Sequence, residues 1–344
     1  MRWKRAITVY GCHAEGEYGK VVTGGVLDPP GKTMFDKKRH LEQNADGLRK
    51  FLLFEPRGAA VQSANLVLPS SHPEAQAGYV IMESTEYPPM SGSNTICTAT
   101  VLLETGMLPM REPETRLVLE APGGLIELTA RCRDGKVEQV RFANVPAFVL
   151  HLDAPLEVEG HGTIVVDVAY GGMMFALTDA TTLGFAIAPD EARDICVLGQ
   201  KIKAAAVEQL EAVHPENPEI RDVTIAAFTG PVRREGGRLT ARNTVVVSPG
   251  RLDRSPCGTG TSARLAVMHA RGEIRANEIF DHESIIGTHF LSEVVEATRV
   301  GGTPAVVTTV AGQAWITSVS QYGCDPGDPF PEGYTLSDTW LQTI

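Results

Sequence analysis

The stretch "SPCGTGTSARLAVMHARG", Ser255–Gly272, decides the reading of the chain. A polar Gly-Thr turn runs directly into an apolar segment of helical length that ends on glycine. The same arrangement stands earlier, in "PPMSGSNTICTATVLLETG", Pro88–Gly106. Ser91 aligns with Cys257, Gly92 with Gly258, Ser93 with Thr259, Thr95 with Thr261, Val101 with Val267 and Gly106 with Gly272, always at an offset of 166 positions (91 to 257). Small and hydroxylated residues suit a helix start, and glycine suits its C-terminal cap. One such turn is weakly specific, because Gly-Thr turns often do no more than cap a core helix. Two copies in register, each led by a nucleophilic side chain, point to an internal duplication.

The flanking segments follow the same plan twice. In the first half "RAITVY" and "GKVVTGGVL" read as strands, and 35–53 reads as a helix with Leu41, Leu48, Phe51 and Leu52 on one face. "GAAVQSANLVL" and "AGYVIME" are strands again, then the turn and its helix, then strands joined by Gly-rich turns. In the second half "GTIVVDVAYGGMMFALTDA" is strand-rich, 189–213 reads as a helix opened by Pro189, and "VTIAAFTG" and "NTVVVSPG" lead to the second turn and helix. "TPAVVTTVAGQAWITSVSQYG" closes with strands. The reading is α+β, with two pseudo-symmetric halves, each a strand layer or barrel around a central helix. Pro146, Pro155 and Gly160 put the boundary near 150. The first half spans 1–150 and is completed by 325–344; the second spans 151–324.

The totals narrow the partners. The chain has 344 residues, 43% of them hydrophobic and 21% charged, and a formal net charge of −11 with no basic run. That suits a globular chain with real cores and argues against nucleic acid and anionic membrane surfaces. No apolar stretch approaches the ~18–20 residues of a membrane span, and the N-terminus lacks a secretory h-region, so a cytoplasmic protein is expected. Six scattered cysteines without a CxxC pair read as reduced thiols, and nine histidines show no metal-ligand spacing, so no metal is expected.

The free N–H groups at a helix start, together with the helix dipole, attract an anion. If two such starts face one cleft between the halves, a small carboxylate sits between them with Ser91 and Cys257 on opposite sides. That arrangement fits removal of a proton alpha to a carboxylate: donors hold the developing charge and a base stands on one or both faces. A helix N-terminus also lowers a thiol's pKa, which makes Cys257 a candidate base. A P-loop does not fit, because neither copy has the Gly-Lys-Ser/Thr ending.

"DRSPCGTGTSARLA", Asp253–Ala266, resembles a signature segment of the proline racemase family. "MSGSNT", Met90–Thr95, sits where that family has Met-Cys-Gly-His, and "HAEGE", "EPRG", "YGGMMFA" and "DPGDPFPEGY" extend the likeness along the chain. The resemblance implies a diaminopimelate-epimerase-like fold with the active site between its halves, no cofactor, a homodimer, and proline or a hydroxyproline as substrate. It implies that Ser91 and Cys257 take the two acid–base positions, that Gly92, Ser93, Gly258 and Thr259 hold the carboxylate, and that Asp253 meets the ring ammonium.

Ser91 and Ser93 depart from the pattern, in which Cys leads both copies and His follows the first glycine. A serine hydroxyl is a weak base beside a thiolate, and an unmatched pair favours elimination over inversion. The expected activity is therefore that of a trans-3-hydroxy-L-proline dehydratase, a lyase giving Δ1-pyrroline-2-carboxylate. A hydroxyproline 2-epimerase or proline racemase is the alternative on the same site. A non-catalytic amino-acid or carboxylate binder is the alternative from another class. His13 and Glu17 read as loop residues with structural hydrogen bonds, Asp253 as either a turn former or a ligand for the ammonium, and Cys97 as a buried apolar residue.

Overall fold

The computed structural model describes residues 5–340. The chain divides into two compact units: residues up to Phe142 together with those from Gly312 onward, and Ala143–Ala311. No helix among the described residues is long and apolar enough to cross a membrane.

Among the described residues unit 1 carries three helices, α1 (Met34–Asn44), α2 (Gly47–Leu53) and α3 (Gly92–Glu104). Its strands follow one another in a fixed order. Ala314–Gly323 pairs antiparallel with Ala6–Ala14, which pairs antiparallel with Lys20–Gly24. Lys20–Gly24 lies parallel to Ala64–Leu68, and that strand lies antiparallel to Ala77–Met82. Ala77–Met82 meets Glu114–Ala121 in parallel, and Gly124–Arg133 and Lys136–Ala143 continue antiparallel. Each parallel step needs a crossover: α1 and α2 supply the first and α3 the second.

Unit 2 carries α4 (Ala192–Gln209) and α5 (Gly258–Ala270). Its strands repeat the order of senses. Ala147–Val158, Gly162–Tyr170 and Met174–Asp179 run antiparallel. Met174–Asp179 lies parallel to Ile225–Thr229 across α4, and Ile225–Thr229 is antiparallel to Arg238–Val247. Arg238–Val247 is parallel to Phe280–Glu283 across α5, and His289–Val300 and Thr303–Gly312 follow antiparallel. Thr303–Gly312 then returns to the first strand through Ala305↔Phe148 and Val306↔Ala147, closing a ring of eight strands.

Both units therefore read antiparallel, antiparallel, parallel, antiparallel, parallel, antiparallel, antiparallel, with a buried helix at the second parallel crossover. The expected boundaries move. A second half spanning 151–324 would include Ala314–Gly323, but that strand pairs with Ala6–Ala14 from end to end, so unit 1 takes its opening strand from the far end of the chain. The separations at 150/151 and 324/325 become 142/143 and 311/312.

The two central helices match residue for residue: each has thirteen residues, and Gly92–Glu104 and Gly258–Ala270 are offset by the same 166 positions (92 to 258, 104 to 270). Every residue from Gly92 to Leu103 and from Gly258 to Met268 is buried. Ile96, Ala99 and Leu102 in α3 and Leu265 and Met268 in α5 are buried, and several Thr and Ser side chains return their hydroxyls to the backbone, as Thr98 Oγ1 does to Asn94 O at 2.8 Å and Ser262 Oγ to Gly258 O at 3.2 Å. That satisfies these hydroxyls inside a core, whereas the buried Thr100 Oγ1 of α3 has no hydrogen-bond partner among the described residues.

Candidate active site

Ser91 is the N-cap of α3, in extended conformation with φ −152° and ψ 124°. Its side chain makes no cap bond to the backbone. Instead Ser91 Oγ accepts from Asn94 Nδ2 at 3.0 Å. Asn94 is buried, and its Oδ1 accepts from Asn65 Nδ2 at 2.8 Å and lies 2.7 Å from the Ser63 hydroxyl. The Ser91 carbonyl accepts from Thr95 Oγ1 at 2.7 Å, and Tyr79 OH stands 2.5 Å from that Oγ1. Ser91 is half-buried, while Gly92 and Ser93 are buried. The N–H groups of residues 92–94 are the first of the helix and precede its earliest intrahelical donor, Thr95 N–H to Ser91 O.

Cys257 caps α5 with φ 66° and ψ 109°, a backbone region that side-chain-bearing residues rarely adopt. Its Sγ accepts from Gly260 N–H at 3.4 Å and lies 3.6 Å from Thr259 Oγ1. The Cys257 carbonyl accepts from Thr261 Oγ1 at 2.7 Å, matching Thr95 in the first copy. His282 Nδ1 lies 2.8 Å from Thr261 Oγ1, and Arg264 Nη1 lies 3.1 Å from His282 Nε2. Because arginine only donates, Nε2 accepts and Nδ1 carries the proton. Burial and the neighbouring Arg264 hold His282 well below its ordinary pKa, so the ring is neutral. Asn243 Nδ2 donates to the Pro256 carbonyl at 3.0 Å and fixes the approach to Cys257.

Asp253 builds that approach. Its Oδ1 accepts from both the N–H and the hydroxyl of Ser255 at 2.8 Å, and Ser255 Oγ in turn accepts the Cys257 N–H at 3.1 Å. The turn-forming role read from the sequence is thus present. The expected lowering of the Cys257 pKa is not. Burial first, then the negative charge of Asp253, push the thiol well above its ordinary value, and the donors Thr259 and Gly260 offset this only in part. A helix start favours the thiolate, but desolvation opposes it more strongly where the residue is only 7% exposed.

The structure thus gathers Ser91, Gly92 and Ser93 at one helix start, and Cys257, Gly258 and Thr259 with Asp253 at the other. Sequence reasoning missed Asn65, Ser63, His282 and Asn243. Asn94 stands inside the first quoted motif, where the pattern marks a helix start and gives its side chain no partner. His13 is structural: its Nδ1 accepts from Gly16 N–H at 3.2 Å and its ring stacks on Trp315 at 5.2 Å between centroids. Cys97 is fully buried, and burial raises its thiol far up. Among the described residues no group of three or more His, Cys, Asp or Glu side chains is placed to hold a metal.

Two units of one strand order, each opening its buried helix on a hydroxyl or thiol, define a duplicated α+β fold of the kind seen in epimerases and phenazine-biosynthesis proteins. The chain belongs to the proline racemase family, whose model matches residues 9–335. It is similar to a crystal structure of a hydroxyproline epimerase from Agrobacterium vitis with bound trans-4-hydroxy-L-proline, at 40% identity, TM-score 0.91, and coverage of 99% of this chain and 97% of that one. A second crystal structure, described as a probable proline racemase from Agrobacterium radiobacter K84 with bound carbonate, matches at 40% identity and TM-score 0.89 over 97% and 98% of the two chains. A PhzF-family phenazine biosynthesis protein from Bacillus anthracis shares the fold alone, at 12% identity and TM-score 0.56 over 92% and 99% of the two chains.

Proposed function

We propose that the chain is a hydroxyproline 2-epimerase in which Cys257 and Ser91 are the two acid–base groups. The observation that carries this reading is that the capping position of each central helix presents a thiol or hydroxyl beside backbone N–H groups with no intrahelical partner. The similarity to a hydroxyproline epimerase over nearly the whole chain supports the substrate class. In this reading the N–H groups at Gly92, Ser93, Gly258 and Thr259 hold the substrate carboxylate, and Asp253 meets the ring ammonium. The cation cancels the Asp253 charge that helps keep the thiol protonated, so substrate binding itself favours the thiolate.

The α-proton passes to Cys257 as the C–H bond breaks, and its electron pair spreads into the carboxylate held by the N–H donors. Ser91 gives its proton to the other face of Cα and is reprotonated by water; Cys257 returns its proton to water. The balance closes with one proton out and one in.

A second reading, dehydration of trans-3-hydroxy-L-proline, is supported by the unequal pair. In that substrate the α-hydrogen and the 3-hydroxyl lie on one face of the ring, so a single thiol serves both. The C–H bond breaks, C2=C3 forms, and the hydroxyl leaves as water with that proton. The enamine then tautomerises to Δ1-pyrroline-2-carboxylate.

The test is incubation with trans-4-hydroxy-L-proline in D2O and, separately, with trans-3-hydroxy-L-proline. Inversion with α-deuteration of the first, lost by 10²-fold or more (~10²–10⁴) in Cys257→Ala, is the expected result. Cyclic imine from the second with no inversion of the first replaces the epimerase reading by the dehydratase one. Ligand binding without either reaction leaves the non-catalytic binder and sinks both.

A further inference from the structure

The residue three places past each capping position supplies that cap's hydrogen bond, by different means in the two copies. In the second copy it is Gly260, whose backbone N–H donates to Cys257 Sγ; a Cβ there would stand 3.2 Å from the sulfur. In the first copy it is Asn94, and the donor is its side-chain amide. The backbone cap of Ser91 is absent and the amide takes its place.

The orientation of that amide is fixed from behind. Asn65 Nδ2 faces the Lys20 carbonyl at 3.3 Å, which identifies its nitrogen end. The same nitrogen donates to Asn94 Oδ1 at 2.8 Å, so Asn94 must turn its own NH2 to Ser91. Asn65 and Asn94 are 0% and 1% exposed, so water does not compete for these bonds. With one lone pair of Ser91 Oγ occupied by an N–H, the hydroxyl proton is directed away from Asn94. The alkoxide left after proton transfer keeps the same donor, and a bond to an ionised acceptor is stronger than one to a neutral acceptor.

We infer that Asn94, oriented by Asn65, is a positioning residue that makes Ser91 a proton donor. The inference rests on the acid–base reading of Ser91 and Cys257 given above. The experiment separates two rates in D2O: deuterium wash-in at Cα of whichever hydroxyproline epimer presents its α-proton to Cys257, and net inversion. Removing the Ser91 donor blocks inversion and spares wash-in, because Cys257 takes and returns a proton on its own face.

Asn94→Ala is expected to lower inversion about 10²-fold and to keep wash-in within about threefold, with Ser91→Ala giving the same split. Asn94→Asp keeps the size and accepts from Asn65 and Ser63, but turns an acceptor toward Ser91 and captures its proton; it carries the test if the alanine variant does not fold. Ser91→Cys in the Asn94→Ala background is expected to restore inversion, since a thiol is the stronger acid. Parallel loss of both rates, retention of both, or failure of the rescue overturns the inference. Wild-type protein that shows no wash-in dependent on Cys257 overturns the underlying reading instead.

Discussion

At the scale of single residues, Cys257 combines two costs. Its φ of 66° costs on the order of 1–3 kcal/mol for a residue with a side chain, and its sulfur is buried next to the carboxylate of Asp253. Both raise the energy of the ionised sulfur or of the backbone that aims it, and the position itself does not impose the strained backbone, since Ser91 occupies the matching N-cap position in an ordinary extended conformation. The raised thiol sets a pH dependence. Only the thiolate is alkylated, so in the free protein iodoacetamide should label Cys257 slowly at neutral pH and progressively faster through the alkaline range. Asp253→Asn removes the second-largest cause of the upward shift and should speed labelling at any given pH below the thiol pKa, by tenfold for each unit recovered. Peptide mapping distinguishes Cys257 from the five other buried cysteines; unchanged labelling in the variant would refute the electrostatic account. None of this was legible in the sequence. The motif named Ser91 and Cys257, but burial and the Asp253 charge that invert the pKa expectation arise only on folding. Asn65 likewise reads as one polar residue in a strand, and its link to Asn94 crosses 29 residues of chain.

At the scale of elements, the repeated turn plus glycine cap gave both central helices, and Gly106 and Gly272 adopt the positive φ, 73° and 72°, that the cap requires. Other bounds moved. The helix expected over 35–53 is two helices, because Ala45 breaks the ladder and α2 restarts at Gly47 after Asp46. The helix expected over 189–213 starts with a short 3-10 turn and ends at Gln209, where Leu210 turns extended and Val213–His214 pairs with Asn217–Arg221 instead. Hydrophobic periodicity carries over such breaks and does not mark them. The Gly-Gly turn of "YGGMMFA" has a role the pattern did not disclose. A Cβ on Gly171 would lie 2.2 Å from the Thr259 carbonyl and 2.5 Å from the Ala263 nitrogen, so the strand end touches the first turns of α5 directly. Gly171→Ala should lower stability to urea by about 1–3 kcal/mol or more and reduce kcat/KM, because the turn behind Cys257 has to shift. Gly272→Ala, with nothing within 4 Å of the added methyl, should cost about 1–2 kcal/mol through its φ alone and leave kcat/KM unchanged. Equal effects of the two substitutions on activity would show that the close approach of Gly171 does not position the site.

At the scale of the whole molecule, the duplication is complete in strand order but cut differently in the two units. Unit 2 is one continuous segment whose eight strands close on themselves. Unit 1 borrows its opening strand from Ala314–Gly323, so its order of senses appears only after the two ends of the chain are joined. The 166-position offset made the duplication readable, because it lies in the central helices. The permutation was not readable, since a strand's local pattern is the same whichever neighbour it pairs with. The consequence is an asymmetry in how the units depend on the rest of the chain. The clusters around Phe228, Ile195 and Ile202, around Phe280 and Leu265, around Phe175 and Val245, and around Phe148 and Tyr170 all draw on residues of unit 2 alone. The seam that closes its ring, Phe148 against Ala305, lies inside the last of these. Residues 143–312 expressed alone should therefore fold, with a strand-rich circular dichroism spectrum and a cooperative thermal transition, and should lack turnover because Ser91 is missing. A chain ending at 311 should instead lose unit 1, since Ala6–Ala14 is left without the partner strand that pairs along its whole length. A disordered 143–312 fragment beside a chain ending at 311 that keeps both transitions would contradict the closed-ring account, because stability would then not follow from where each ring finds its first strand.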